Sequence, residues 1–467
     1  MTTAPVDPGS YRDRRSRVLD AGGDVLRVFS PAGWEQWRAV AATAFYQRLV
    51  SAKKVVASEE APIPPEAAAA LPAGIAGAVR HARVPFVTYP YEWPFGMLRA
   101  AALLQLELLA EALDEGFTLR DASPYNVQWL GSRPTFIDVG SFERRVEGEP
   151  WVGYLQFCQL FLYPLLLTAY RDVRFHPWLR GSLEGITPEE CRRLLRPRDL
   201  LRPGTLFDVS LQARLIERTA ANTHSVRGEL RGAGFTAAMV AHNVRRLERL
   251  LSGLRWERAT SAWSDYRQGS HYSEVDLALK RAFVVRAAAR RQRRLVWDLG
   301  TNTGEHARAV APHAGLVVAM DRDHLAVDLL FRRLAADGPA NVVPLVIDLL
   351  DPSPGIGWGL RERRPLFDRG RPDLVIALAL VHHLALTGNV PLPDLVDWLA
   401  DLGADLVVEM VAPDDPMARQ LLRNKDSDHS DYTLEAFEAF LARRFAVVER
   451  EALASGTRVL YALEARR

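Results

Sequence analysis

Cysteine is scarce: the 467 residues contain two, Cys158 and Cys191. They lack the close pairing of a zinc or redox motif, and two thiols cannot build the disulfide framework of a small secreted domain. A reducing, cytoplasmic setting is the expectation. Net charge is also small, +2 from 59 basic and 57 acidic residues, so there is no electrostatic case for a nucleic-acid partner. The basic run RAAARRQRR at 286–294 reads as the solvated end of a helix. Long uninterrupted apolar runs are missing too. The opening MTTAPVDPGSYRDRR lacks the apolar core of a signal peptide. The greasy stretch WVGYLQFCQLFLYPLLLTAY at 151–170 is interrupted by Gln156, Gln159 and Pro164, and reads as a buried helix rather than a membrane span. His306, His313 and His324 fall on different elements, without the spacing a metal site needs.

What is present is ordinary globular material. Apolar residues make up 48% and charged residues 25%, and the length suits two or three domains. Three regions follow from the patterning. Residues 1–170 mix short strands (VLRVFS, KKVVAS, VPFVTY) with an amphipathic helix over 96–116, ended by Gly116. Residues 171–259 are helical and arginine-rich, and read as a connector. From 260 to 467 apolar β-runs alternate with helices: LVWDLG, GLVVAMD, NVVPLVID, DLVIALAL and ADLVVEMV, then two closing strands joined by ALASGT. That alternation predicts a parallel, doubly wound α/β sheet with a terminal antiparallel hairpin.

In such a sheet ligands bind at the carboxyl ends of the strands. The first strand ends in Asp298-Leu-Gly300-Thr-Asn302-Thr-Gly304. Gly300 and Gly304 let the backbone turn tightly and approach a ligand, and Asn302 tolerates positive φ. Asp321 closes the second strand, where a carboxylate can accept two ribose hydroxyls. Asp348 closes the third, placed to meet an adenine amino group. A glycine turn and three acids in register indicate an adenosine-containing ligand, either NAD or S-adenosylmethionine. The turn lacks G-x-G-x-x-G spacing, and Asp298 would repel a phosphate. A methionine ammonium suits that acid better.

These residues carry a resemblance. VWDLGTNTG is similar to the first cofactor motif, VVAMD to the second and VIALALVHHL (375–384) to the fourth motif of class I S-adenosylmethionine-dependent methyltransferases. WSDYRQGSHYSEVDLALKRAFV (263–284) and DPSPGIGWGLRERRPL (351–366) resemble a bacterial subfamily sometimes grouped with nodulation proteins. The resemblance implies a Rossmann-like, seven-stranded sheet over 260–467. It implies a cofactor held by Asp298, Gly300, Asn302, Gly304, Asp321, Asp348 and Leu378. Methyl transfer needs alignment, exclusion of water and, for a hydroxyl or ammonium acceptor, a base. His382 and His383 follow the fourth strand, so at least one is expected at the cofactor mouth. Glu409, ending VVEM, is a second inward candidate. Tyr266, His271 and Tyr272 could form a lid. Lys280 reads as a solvated helix residue.

The first region holds GFTLRDASPYNVQWLGSRPTFIDVGSFE at 116–143. Arg120-Asp121, Asn126 and Asp138-Val-Gly140 resemble the catalytic loop and metal turn of protein-kinase-like phosphotransferases. The resemblance implies an α+β kinase-like domain over 1–170, with Asp121 as base and Asn126 and Asp138 as Mg²⁺ ligands for Mg-ATP. A glycine-rich phosphate loop is missing, and neither Lys53 nor Lys54 sits in a convincing strand, so an inactive fold is expected. The reading is a methyltransferase whose first domain helps select a small-molecule acceptor, such as a saccharide or specialised metabolite, through O- or N-methylation. The alternatives are a kinase-type phosphotransferase and a non-catalytic adenosine-binding scaffold.

Overall fold

The computed structural model describes residues 6–21, 23–67, 69–214, 235–258, 273–423, 425 and 429–466. The chain forms two compact units. One comprises Met1–Trp129, Pro134–Arg258 and Gly355–Arg364; the other comprises Leu130–Arg133, Ala259–Pro354 and Pro365–Arg467. The expected connector is therefore counted with the first unit through Arg258.

In the first unit, strands β1 (Ser16–Ala21), β2 (Asp24–Phe29), β3 (Ser58–Ala61) and β4 (Gly77–His81) form an antiparallel sheet in the order β1-β2-β4-β3. Two expected strands are corrected. KKVVAS makes only an isolated bridge, Val55 to Phe136, before the strand proper begins at Ser58. VPFVTY is not a strand. Prolines at 85 and 90 remove donors on either side, and the Gln128 side chain satisfies Thr88, accepting from its N–H at 2.8 Å and donating to its carbonyl at 3.0 Å.

The helix Phe95–Asp114 forms as expected, and Gly116, at φ 81°, ends it. β5 (Phe117–Leu119) pairs with β8 (Phe142–Arg144), and β6 (Val127–Leu130) with β7 (Arg133–Phe136). The stretch 151–170 forms helices Tyr154–Phe157 and Tyr163–Arg171 around a π turn, Cys158–Leu162. Pro164 has no N–H to continue the i−4 ladder where the spacing changes. Among the described residues no helix is long and apolar enough to cross a membrane.

The second unit carries the alternating pattern. Its seven-stranded sheet has the order β11-β10-β9-β12-β13-β15-β14. The strands are β9 (Arg293–Leu299), β10 (Ala314–Asp321), β11 (Val342–Val346), β12 (Leu374–Ala377), β13 (Asp405–Val411), β14 (Phe445–Ala452) and β15 (Arg458–Ala465). β9 to β13 pair in parallel, and β15 runs antiparallel between β13 and β14. The chain leaves β9 toward β10 on one side and returns to β12 on the other, a topological switch point. Val296, Val317, Ile376 and Val407 from the sheet pack with Phe283, Val284, Ala307, Val310 and Leu330 from the helices. At about 1.5–3 kcal/mol for each fully buried side chain of this size, that core fixes the strand tips rigidly.

Candidate functional site

Parallel strands bring their carboxyl ends to one edge. Asp298 lies one residue below the tip of β9, level with Ala319 on β10 and Ile376 on β12. Beyond it the chain folds back: Gly300 N–H and Thr301 N–H both donate to the Met320 carbonyl at 2.9 Å. Gly300 holds φ 73° and Asn302 φ 52°, so the turn needs the two residues that tolerate this region. Asn302 N–H donates to Asp321 Oδ2 at 2.8 Å and Asp323 N–H to Oδ1 at 2.9 Å, which fixes the carboxylate at the tip of β10.

These residues line a cavity of about 330 Å³. Asp298, Gly300, Thr301, Asn302, Asp321, Asp348 and Leu378 are on its wall. Gly304 is not: at φ 77° it starts the helix Glu305–Val310, and a Cβ there would lie 2.2 Å from Leu330. Its role is close packing rather than ligand approach.

The electrostatics are unusual. Burial pushes the carboxyl groups of Asp298 and Asp321 up to about 6, against hydrogen bonds that favour the charged form. Thr301 Oγ1 donates to Asp298 Oδ2 at 2.6 Å. Among the described residues neither acid has an ion-pair partner. Asp348 differs, lying part-exposed with Arg322 at 3.8 Å. Asp298, buried, and Asp321, part-exposed, fit a ligand that brings an ammonium and hydroxyl donors.

The histidines divide. His383 lines the cavity at the start of a π turn, His383–Thr387. Burial and the neighbouring arginines Arg322 and Arg458 lower its imidazole to about 4, so it is neutral at physiological pH. His382 is off the wall and 0% exposed. Its ring centroid is 4.0 Å from that of His383, and neither of its ring nitrogens has a hydrogen-bond partner among the described residues. Glu409 is also off the wall and 0% exposed, accepting from Lys280 Nζ at 2.8 Å. Tyr266, His271 and Tyr272 lie outside the described residues.

Lys280 corrects the sequence reading. It is 4% exposed and lines the cavity, carried by the helix Glu274–Ala289. The signal was its spacing: Leu277, Lys280, Val284 and Ala287 share one helical stripe. Thr301 and Leu380, also on the wall, lie inside VWDLGTNTG and VIALALVHHL but are not singled out within them.

In the first unit the kinase-type acids are not assembled for a metal. Asp138 Oδ1 is taken by Arg27 Nη1 at 2.9 Å, an ion pair with both side chains largely buried. Asp121 is part-exposed beside Arg120 at 3.3 Å, and burial raises its carboxyl. The Asn126 backbone closes a local turn, donating to Ser123 O at 3.1 Å and accepting from Ile137 N–H at 2.9 Å. Lys54 pairs with Glu107. Among the described residues no group of three or more His, Cys, Asp or Glu could hold a metal ion. Mg-ATP binding therefore finds no support, because Arg27 already supplies the charge a cation would bring to Asp138.

A seven-stranded, Rossmann-like sheet with a cavity at its switch point defines the second unit as a doubly wound α/β domain. No family model matches the chain. Over 458 residues, 98% of this chain and 95% of the relative, it is 33% identical to nodulation protein NoeA of Rhizobium meliloti (strain 1021). The chain belongs to the NoeA family. Among solved structures it is similar to the N-methyltransferase NodS of Bradyrhizobium japonicum WM9, with 14% identity, 42% of this chain, 99% of that chain and a TM-score of 0.31. It is also similar to magnesium protoporphyrin IX methyltransferase (ChlM) of Synechocystis PCC 6803 with bound SAH, with 17% identity, 45% and 89% coverage and a TM-score of 0.30. At this level of similarity the fold rests on the strand order.

Proposed function

We propose that the chain is an S-adenosylmethionine-dependent methyltransferase acting on a small-molecule acceptor, with the first unit contributing to acceptor choice. The observation that supports this most is the pair of carboxylates beside the Gly300 turn, buried Asp298 and part-exposed Asp321, that form no ion pair among the described residues. Asp321 would accept from the ribose hydroxyls, Asp298 from the methionine ammonium, and Asp348 from the adenine amino group. When bound, the cofactor supplies a methyl group on a positively charged sulfur. Leu378 and Leu380 exclude water from the wall where β12 ends. His383, held neutral, can accept a hydrogen bond from an acceptor hydroxyl or amine, but its low basicity makes it a weak base. His382 and Glu409 would act by supporting that wall rather than by touching the acceptor.

The test is transfer of label. Full-length protein is incubated with methyl-tritiated S-adenosylmethionine and fractionated extracts, containing small molecules, proteins or RNA. Label should enter the small-molecule fraction and be lost in Asp321→Ala. Label found only in protein or RNA, or an unchanged signal in the variant, contradicts the proposal.

A further inference from the structure

One oxygen atom joins the cavity to the tip of β12. Glu409 Oε2 accepts from Lys280 Nζ at 2.8 Å and from Ala379 N–H at 2.8 Å. Lys280 is on the cavity wall, and Glu409 is behind it. Ala379, on the cavity wall between Leu378 and Leu380, adopts φ 48°, a left-handed conformation that alanine avoids. The π turn that carries His383 begins four residues on. The other carboxylate oxygen, Glu409 Oε1, lies 3.7 Å from Arg458 Nη1. Arg458 is in turn held by Asp415 at 2.7 and 3.0 Å. This second anchor limits rotation of Glu409, so a change at Oε2 is passed to Ala379 rather than absorbed.

Among the described residues, the charged groups acting on Lys280 include Glu409, Arg458 and Glu305, and burial disfavours its ammonium. An anionic ligand group in the cavity pulls the other way. The proposed ligand has such a group: an amino-acid end carries a carboxylate beside the ammonium assigned to Asp298. A carboxylate that draws on Lys280 leaves more of the Oε2 charge for the Ala379 N–H, and a hydrogen bond to a fuller charge is stronger.

We infer that Lys280 senses the carboxylate of the bound amino-acid nucleoside, and that Glu409, as a positioning residue, transmits its presence to the 379–387 segment. The cavity then distinguishes an intact amino-acid terminus from a bare nucleoside thioether, and readies the acceptor wall only for the first. The inference rests on the methyltransferase reading and deepens it.

The test is amide hydrogen exchange of the full chain with two saturating probes, S-adenosylhomocysteine and 5′-methylthioadenosine, which share the nucleoside and differ in the amino-acid end. S-adenosylhomocysteine should slow exchange at Ala379 roughly tenfold more than the shorter probe, within the usual range for coupled sites. Lys280→Met should abolish that difference. If this variant does not fold, the double variant Lys280→Met/Glu409→Gln removes both buried charges and should show equal protection by the two probes. Equal protection in the native chain, with both probes bound, overturns the inference alone, as does a full difference surviving without Lys280. Failure of both probes to bind overturns the cofactor reading and the inference with it.

Discussion

Both units place aspartates at turns that end strands, but they treat the charge in opposite ways. In the first, Asp138 is neutralised by Arg27 at 2.9 Å, so nothing further is required of a ligand. In the second, buried Asp298 and part-exposed Asp321 are raised to about 6 and have no ion-pair partner among the described residues. Burying a carboxylate without a cation is costly. A fold that leaves such acids without an ion pair does so at a cavity, where a ligand can complete the pairing. The presence of an acid in a motif is therefore less informative than whether the protein has already supplied its counter-charge.

The largest effect expected from breaking this contrast is in the first unit. Arg27→Met strands Asp138 without its cation and should cost about 3 kcal/mol in denaturant unfolding. Arg27→Met/Asp138→Asn should recover most of the loss. A stable Arg27→Met that gains Mg-ATP affinity would instead make Asp138 a ligand residue.

The pH dependence comes next. Asp298 and Asp321 have native values near 6 against an ordinary value of 3.8. Between those values the native state holds protons that the unfolded chain releases, so the ligand-free protein should lose stability as pH rises from about 4 to about 6. A ligand ammonium favours the ionised acids, so affinity for S-adenosylhomocysteine should level off above pH 6. Below it, affinity should fall up to about tenfold per pH unit for each acid that protonates. Thermal melts and titrations across this window check both signs. Affinity that is flat below pH 6 removes the electrostatic basis of the site.

The histidines should separate by a smaller margin. His383→Ala should lower label transfer about tenfold while S-adenosylhomocysteine affinity stays within about threefold. His382→Leu should be neutral or stabilising within about 1 kcal/mol, since both ring nitrogens of His382 are buried without partners among the described residues. The smallest effect belongs to Asp348→Asn. A part-exposed acid 3.8 Å from Arg322 should change affinity by no more than about threefold.

The parts of this that the sequence made legible are local. The alternation of β-runs and helices, the Gly300 turn and the acid ending β10 can each be read within a dozen residues, whereas Asp348, expected to close the third strand, lies two residues past β11. What could not be read depends on distant partners. Lys280 sits in an apolar helical stripe, but its counter-charge, Glu409, is 129 residues away. Gly304 looks like part of a ligand loop until Leu330 is placed against it. VPFVTY has strand composition, yet Gln128, forty residues on, supplies the bonds a neighbouring strand would have made. The segment Gly355–Arg364 lies between β11 and β12 in sequence but belongs to the first unit, where Glu362 accepts from Arg12 at 2.8 Å and from Tyr11 at 3.1 Å. Arg27 is part of an ordinary strand, and nothing near it announces Asp138.

Calorimetric titration of S-adenosylhomocysteine into the full chain near neutral pH, with NAD as comparator, tests the central claim most directly. The account predicts one site for the thioether nucleoside, none for NAD, and about a hundredfold weaker binding in Asp321→Ala, consistent with ~1.5–3 kcal/mol for a hydrogen bond to a charged group. Binding of NAD with refusal of S-adenosylhomocysteine, or undiminished affinity in Asp321→Ala, would contradict it.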